Sequence, residues 1–298
     1  MEKTKLKINQ AKLKVSLLLG SLLFSAMAQA TVLPEAKLQI KIPMAKAPTS
    51  RPMTIAYHPA LMDYYVADGG LAPMGSEWQA PISKSQIHAF DADGKYINSA
   101  SPGYDNRSIY YNPNTAHIET ITYNISSAVG FAPNTGMYAL QTEESGRIKE
   151  TSTEIMQYHA AFGDAFTMPT YDAEHNCYFA KQMRSNKVLI VTTKDEAPIG
   201  EVMLDIASAG AKFDDISDSF VAYTGVKDEE LALLDLDHKS ILVFNLKGQF
   251  VARSKLPDNI KLRAKNYYNG LGYTNGMFFL YVESEGKFGT YHGYQVVK

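Results

Sequence analysis

Phe220-Val221-Ala222-Tyr223, Glu230-Leu231-Ala232-Leu233-Leu234-Asp235, Ser240-Ile241-Leu242-Val243-Phe244 and Gln249-Phe250-Val251-Ala252 follow one another within about 35 residues. Each run is short and rich in aliphatic and aromatic side chains, as strands are. Lys247-Gly248 supplies the last turn, because glycine enters the positive-φ region at little steric cost. Connections this short join antiparallel neighbours. The segment therefore predicts one sheet of four antiparallel strands.

The same order can be laid over the rest of the chain. A first unit has Thr54–Tyr57, Tyr64–Asp68, Gln86–Phe90 and, after the turn Asp91-Ala92-Asp93-Gly94, Lys95–Asn98. A second has Ser108–Tyr111, Ile118–Tyr123 and Met137–Leu140, followed by the turn Glu144-Ser145-Gly146. A third has Phe166–Met168, Cys177–Ala180, Lys187–Val191 and Gly200–Leu204. The last has Leu271–Tyr273, Met277–Tyr281 and Gly289–Tyr294. Tyr57, Tyr111, Tyr171, Tyr223 and Tyr273 mark the units, at separations of 54, 60, 52 and 50 residues. A period of this size belongs to stacked supersecondary units that cannot bury their apolar faces alone. The expectation is an all-β chain folded as a β-propeller of four-stranded antiparallel blades, with five blades preferred. Six blades form the alternative, because Phe131-Ala132-Pro133-Asn134-Thr135 echoes Tyr111-Asn112-Pro113-Asn114-Thr115. A plain β-sandwich or barrel is the competing architecture.

The last unit reaches Lys298 after only three strands, while Lys37-Leu38-Gln39-Ile40-Lys41-Ile42-Pro43 alternates polar and apolar residues with no unit of its own. Strand 37–43 is therefore expected to close the ring as the missing fourth strand and to hide the free edges.

The repeats resemble those of the NHL, YncE-like and SMP-30 group of propellers. Tyr65-Val66-Ala67-Asp68, Ile87-His88-Ala89-Phe90-Asp91 and Asp93-Gly94-Lys95-Tyr96 carry the resemblance, with the same register in Ile241–Asn245 and Lys247–Phe250. It touches most of residues 52–298, two blades matching well, and implies architecture rather than activity. In lactonases of the SMP-30 type, acidic and Asn ligands from several blades hold a metal in the central channel. No such ligand set carries over residue by residue to this chain.

The N-terminal thirty residues read differently. Five lysines and one glutamate precede or flank an apolar run from Val15 to Phe24, and Ala28-Gln29-Ala30 follows. That is the order of a secretory signal peptide cleaved near Ala30. The apolar run is short for a bilayer span, so the mature chain is expected to lack a transmembrane segment. The expected domains are thus a signal peptide at 1–30 and a single propeller at 31–298, in a periplasmic or secreted protein. The whole chain has a net charge of -2; without its +4 leader the remainder stands at -6. An acidic chain argues against nucleic acid as partner. Cys177 is alone, so the monomer contains no disulfide, and its hydrophobic neighbours Tyr178 and Phe179 predict a buried, inert thiol.

No His-Glu-x-x-His, phosphate-loop or Gly-x-Ser-x-Gly motif is present, and the seven histidines show no ligand spacing. Asp91-Ala92-Asp93-Gly94 lacks the downstream ligands of a calcium loop and reads as a turn. No residue is assigned as catalytic or metal-binding. In a propeller, the segments leading into the innermost strands lie over the channel. Arg51, Arg107 and Arg263 each precede such a strand and are expected at one channel mouth, with Asp164 and Asp215 opposite; His159, Asn266 and Tyr267 complete the candidate ligand-binding set. Arg offers a donor fork and Tyr flat contact area with a hydroxyl, which suits a small polar or anionic ligand. The same groups could instead lock blades together by salt bridges. His159 and Asp164 would be an acid–base pair if they met. The expected function is non-catalytic binding of a small polar ligand or an envelope-protein partner, without a cofactor. The alternative is a metal-dependent lactone or ester hydrolase, for which a divalent metal would be needed.

Overall fold

The computed structural model describes residues 31–47, 51–69, 85–124, 133–156, 159–164, 166–262 and 271–298. The N-terminal signal expected at 1–30 lies outside the described residues. Strand β1 (Val32–Pro43) comes first and is longer than the 37–43 read from alternation. A four-stranded sheet follows, with β2 (Arg51–His58), β3 (Asp63–Gly69), β4 (Gln86–Phe90) and β5 (Tyr96–Ala100) in sequence order. A second sheet holds β6 (Asn106–Asn112), β7 (His117–Asn124), β8 (Pro133–Thr142) and β9 (Ile148–Met156). A third holds β10 (Thr170–Asp172), β11 (Cys177–Lys181), β12 (Lys187–Val191) and β13 (Gly200–Met203).

The remaining strands are β14 (Ala222–Tyr223), β15 (Leu231–Asp235), β16 (Ser240–Phe244), β17 (Phe250–Lys255), β18 (Gly272–Thr274), β19 (Met277–Val282) and β20 (Thr290–Val297). Together with β1 they form an eight-stranded sheet in the order β14-β15-β16-β17-β1-β20-β19-β18. Its middle joint is thin. β1 pairs antiparallel with β20 from Val32↔Val297 to Pro43↔Thr290, but meets β17 in parallel only at Glu35↔Lys255.

Two strand readings are corrected. The echo at 131–135 does not open a new sheet: Pro133–Thr142 is the third strand of the second sheet, paired with β7 on one side and β9 on the other. The first strand of the third sheet is Thr170–Asp172 rather than Phe166–Met168. Met168 instead makes an isolated parallel bridge to Phe220, and Pro169, which has no N–H to give a ladder, separates that bridge from the strand.

All five marker tyrosines fall on the first strand of a set: Tyr57 on β2, Tyr111 on β6, Tyr171 on β10, Tyr223 on β14 and Tyr273 on β18. These first strands lie side by side: β2 beside β6, β6 beside β10, β10 beside β14, β14 beside β18, and β18 beside β2. The apolar core is correspondingly divided between neighbouring sheets. Met53, Tyr65 and Ile87 pack on Ile109 and Leu140; Tyr110 and Met137 on Phe162 and Tyr178. Phe179 and Val202 meet Leu233 and Phe244; Leu234 and Val243 meet Phe278 and Tyr294. The fifth cluster joins Ile42, Phe279 and Tyr291 to Ile55, Tyr64 and Phe90, which brings the last strands back to the first sheet. Each sheet thus buries both faces, and each buried aromatic or aliphatic side chain contributes about 1.5–3 kcal/mol.

Turns are built as their residues require. Asp91 Oδ1 accepts from the backbone N–H of Asp93 and Lys95, and Gly94 takes φ +79°. This is an Asx-type turn between β4 and β5, as read from the sequence.

Candidate functional site

The first strands of all five sets surround a cavity of about 400 Å³. Its wall comes from β2, β6, β10 and β18 with their flanking residues, including Tyr57, Tyr111, Tyr171, Tyr273 and Asn275, and from Val221 just before β14, with Met168 as an apolar patch. Among the described residues, the lining contains no Asp, Glu, His, Cys, Lys or Arg.

Polar side chains in this wall are placed by backbone arithmetic. A first strand has one free edge, and its N–H and C=O groups need partners once neighbouring sheets cover them. Thr54 Oγ1 donates to the Arg107 carbonyl at 3.0 Å and accepts from the Ile109 N–H at 2.8 Å, tying β2 to β6. The Ser108 hydroxyl donates to the Pro169 carbonyl and ties β6 to the segment entering β10. The Tyr57 N–H donates to Thr274 Oγ1 at 3.0 Å and ties β2 to β18.

The tyrosine rings wedge between sheets. Tyr57 lies 4.8 Å from Tyr64 and Tyr273 4.8 Å from Phe278, while Tyr171 sits between Tyr110 and Tyr178. Tyr223 stacks on Phe179 and is absent from the lining. The Tyr171 hydroxyl is committed to Asn176 Oδ1 at 2.8 Å. The hydroxyls of Tyr57, Tyr111 and Tyr273 make no hydrogen bond to a described residue, so three donor–acceptor groups of the wall are open to a bound molecule. Asn275 reaches Tyr64 Oη at 2.7 Å through its amide N–H and keeps its carbonyl oxygen uncommitted among the described residues.

The residues chosen from the sequence have other employment. Arg107 is buried; its Nε and Nη2 donate to Asp105 Oδ2 at 3.2 and 2.9 Å, and the guanidinium lies 3.8 Å from the centre of the Tyr123 ring. It belongs to the interior and does not line the cavity. His159 Nε2 bonds the Thr192 carbonyl at 2.7 Å, and Asp164 Oδ1 accepts from the Phe166 N–H at 2.8 Å. The two flank the short 3-10 turn Ala160–Phe162, and no acid–base pair forms between them. Asp215 accepts from the Lys212 N–H at 2.7 Å, and that bond, with help from Asp237, holds its carboxyl below the usual range. These groups are caps and cross-links, and they do not converge on the cavity. The backbone of Arg51 pairs with Gly69 at the start of β2; its side chain, and all of Arg263, Asn266 and Tyr267, lie outside the described residues.

Two buried polar networks were not anticipated. Asp68, His88, Ser99 and Tyr96 form a chain across β3, β4 and β5: His88 Nε2 to Asp68 Oδ2 at 2.8 Å, Nδ1 to Ser99 Oγ at 2.7 Å, and Ser99 Oγ to Tyr96 Oη at 3.0 Å. His88 and Ser99 are direct cross-strand partners, so the chain staples one sheet internally. Glu119 is buried between the second and third sheets, where Tyr110, Asn112 and Thr115 all donate to its carboxylate. Burial and the adjoining Tyr178 and Glu119 push the Tyr110 hydroxyl far above the ordinary phenol range. Only spatial register reveals these partners; in sequence they are isolated polar residues inside apolar strands. The Cys177 thiol is buried and pushed up to about 11, so it is the inert thiol expected. Among the described residues no group of three His, Cys, Asp or Glu is arranged to hold a metal.

No protein-family model matches this chain, and no curated protein sequence matches it. Solved structures do match. The glutaminyl cyclase of Myxococcus xanthus superposes with a TM-score of 0.50 at 9% identity, over 90% of this chain and 99% of that one. The fold is a β-propeller. The PQQ-bound aldose sugar dehydrogenase of Streptomyces coelicolor aligns with a TM-score of 0.48 at 10% identity, over 89% of this chain and 99% of that one. At 9% identity the cyclase match speaks for the fold alone.

Proposed function

We propose that this protein is a non-catalytic, five-bladed propeller that binds a small, uncharged polar molecule in its central cavity. The observation that carries the reading is the lining: tyrosine hydroxyls, an amide and strand backbone around about 400 Å³, with no charged side chain among the described residues. Pockets of this size hold small molecules, and their few polar groups fix orientation. A sugar-like or polyol ligand matches flat tyrosine surface edged by hydroxyl and amide groups. Arg107 gives an anionic ligand no support, because it pairs with Asp105; the side chains of Arg51 and Arg263 lie outside the described residues.

Cutting the eight-stranded sheet at its single parallel pair would give five blades, with β1 as the outer strand of the last one. The five inter-sheet clusters and the cyclic adjacency of the first strands support this closure. The leader composition supports export to the periplasm or beyond. A metal-dependent hydrolase would need several carboxylate or imidazole groups aimed into the channel, and the described lining residues include none.

Calorimetric titration of the protein with neutral monosaccharides, polyols and small amides, and with carboxylates and amines of equal size, tests the reading. A neutral ligand is expected to bind saturably, and Tyr57→Phe or Tyr273→Phe to weaken it roughly threefold to tenfold, as loss of one hydrogen bond does. Binding of charged compounds only, or binding indifferent to both variants, overturns it.

A further inference from the structure

The central cavity is layered along the direction of its strands. Two residues before each marker tyrosine stand Ile55, Ile109, Pro169, Val221 and Leu271, one on each first strand or just before it, and all five line the cavity. All five are buried, Leu271 at 1% exposure and Ile109 at 5%. Tyr57, Tyr111 and Tyr273 follow, roughly 7 Å further along at the rise of an extended chain, and are half-buried. The turns beyond them contribute Pro59, Pro113 and Asn275, which are exposed. Among the described residues exposure thus rises from level to level. The cavity opens at the turns and ends at a ring of apolar side chains.

Polar groups near that ring are already committed. Thr54 Oγ1 donates to the Arg107 carbonyl and accepts from the Ile109 N–H. The Pro169 carbonyl takes the Ser108 hydroxyl, and Pro169 has no N–H to offer. Thr170 lies one residue nearer the turns, beside the tyrosine level. A molecule carrying hydroxyls over its whole surface would bury some of them against the apolar ring without partners, and an unpaired buried hydroxyl costs binding free energy. A hydrocarbon group placed there loses nothing and removes apolar surface from water.

We propose that the ligand of the central cavity is a neutral amphiphile, whose short alkyl group enters first and lies against Ile55, Ile109, Met168, Val221 and Leu271 while its hydroxyl-bearing head stays at the level of Tyr57, Tyr111 and Tyr273. The proposal rests on the reading of this cavity as a binding site. It adds the class of molecule and the way round it sits: a fully hydroxylated sugar satisfies only the outer level, and an alkyl glycoside satisfies both.

Calorimetric titration of the full chain with two homologous sets provides the test: methyl and butyl β-D-glucoside, and glycerol beside its 1-O-butyl ether. Affinity is expected to rise roughly tenfold or more from the methyl to the butyl glucoside, since each buried methylene is worth a few-fold, and the heat capacity of binding to become more negative. Val221→Thr keeps the side chain's shape and puts a hydroxyl in the apolar ring; it is expected to weaken the butyl compounds roughly threefold more than methyl glucoside. Tyr57→Phe is expected to weaken methyl and butyl glucoside alike. The two sets are measured on the unaltered protein, so they decide the matter even if Val221→Thr fails to fold. Equal affinity within both sets overturns the proposal and leaves the cavity a site for polyols. Butyl compounds whose binding neither substitution alters sit elsewhere, which overturns it too. If no neutral compound binds, the proposal and the reading beneath it fall together.

Discussion

Single residues carry the sharpest consequences where charge is buried. Arg107 and Asp105 are both out of solvent, and each is the other's compensation. Arg107→Ala removes the cation beside the buried Asp105 carboxylate, and breaking one side of such a pair typically costs about 3–5 kcal/mol. Urea unfolding is expected to register that loss, and the double variant Arg107→Met with Asp105→Leu to recover most of it, since an apolar pair leaves no charge stranded; equal losses in both would contradict the assignment. His58 offers a pH-dependent counterpart. Its Nδ1 accepts from the Leu61 N–H and its Nε2 donates to the Ala116 carbonyl, so the neutral ring is the bonded form. Burial, with His117 nearby, holds it below its ordinary value near 6.5. Below that pH the unfolded chain takes up a proton that the folded chain refuses, so stability falls as the pH drops from about 6.5 towards 5. His58→Gln is expected to flatten the decline of unfolding free energy between pH 7 and 5, and an unchanged slope would show that the ring titrates freely. His292, also lowered by burial, contributes in the same direction, so the flattening is partial.

At the scale of elements, turns and close approaches set what the chain tolerates. Gly248 has φ +78°, and a Cβ built there would stand 2.0 Å from the Met203 carbonyl oxygen, backbone that cannot swing aside. The turn after β16 is thus pressed against β13 of the preceding sheet. Gly248→Ala is expected to cost at least 2 kcal/mol, above the roughly 1 kcal/mol of a positive φ alone, and a thermal melt that scarcely moves would show that the two sheets can part there. Lys247-Gly248 was legible as a turn, because its chemistry is local; the contact with Met203 was not. The same division runs through the whole fold. Marker tyrosines identified every first strand, since a wedge between sheets needs a large flat side chain at one register position. Phe166–Met168 was misplaced by four residues because its apolar run serves an inter-sheet contact, Met168 against Phe220, that looks like a strand in sequence. Those candidate ligand residues that are described do not meet at the cavity, for a related reason. Arg107 lies within the first strand β6 and Asp164 and Asp215 sit before first strands, but in such covered positions a polar side chain is consumed by neighbouring backbone and charge before it can serve a ligand. Thr54, Ser108 and Thr274, which do hold the cavity wall together, are inconspicuous residues whose partners lie 53 to 217 positions away.

The whole molecule turns on how its two ends meet. β1 buries Val32, Leu33 and Ile42 and gives β20 a partner along its full length. Without β1 the last set would end in an open edge, and open edges recruit other chains. Burial of those three side chains and of Met44 is worth about 1.5–3 kcal/mol each, a sum comparable to the net stability of an ordinary domain. A chain lacking residues 32–43 is therefore expected to unfold at far lower denaturant or to associate through β20. The peptide of sequence VLPEAKLQIKIP should bind it in trans, restore the cooperative melt and suppress association, because β1 makes its ladder to β20 rather than to residues adjacent in sequence. A scrambled peptide with the same composition should do neither, since a one-residue slip turns Ile42 out of the core. If the truncated chain instead stays monomeric with its melting curve unchanged, β1 is an ornament on an already complete sheet, and the proposed five-bladed closure fails with it.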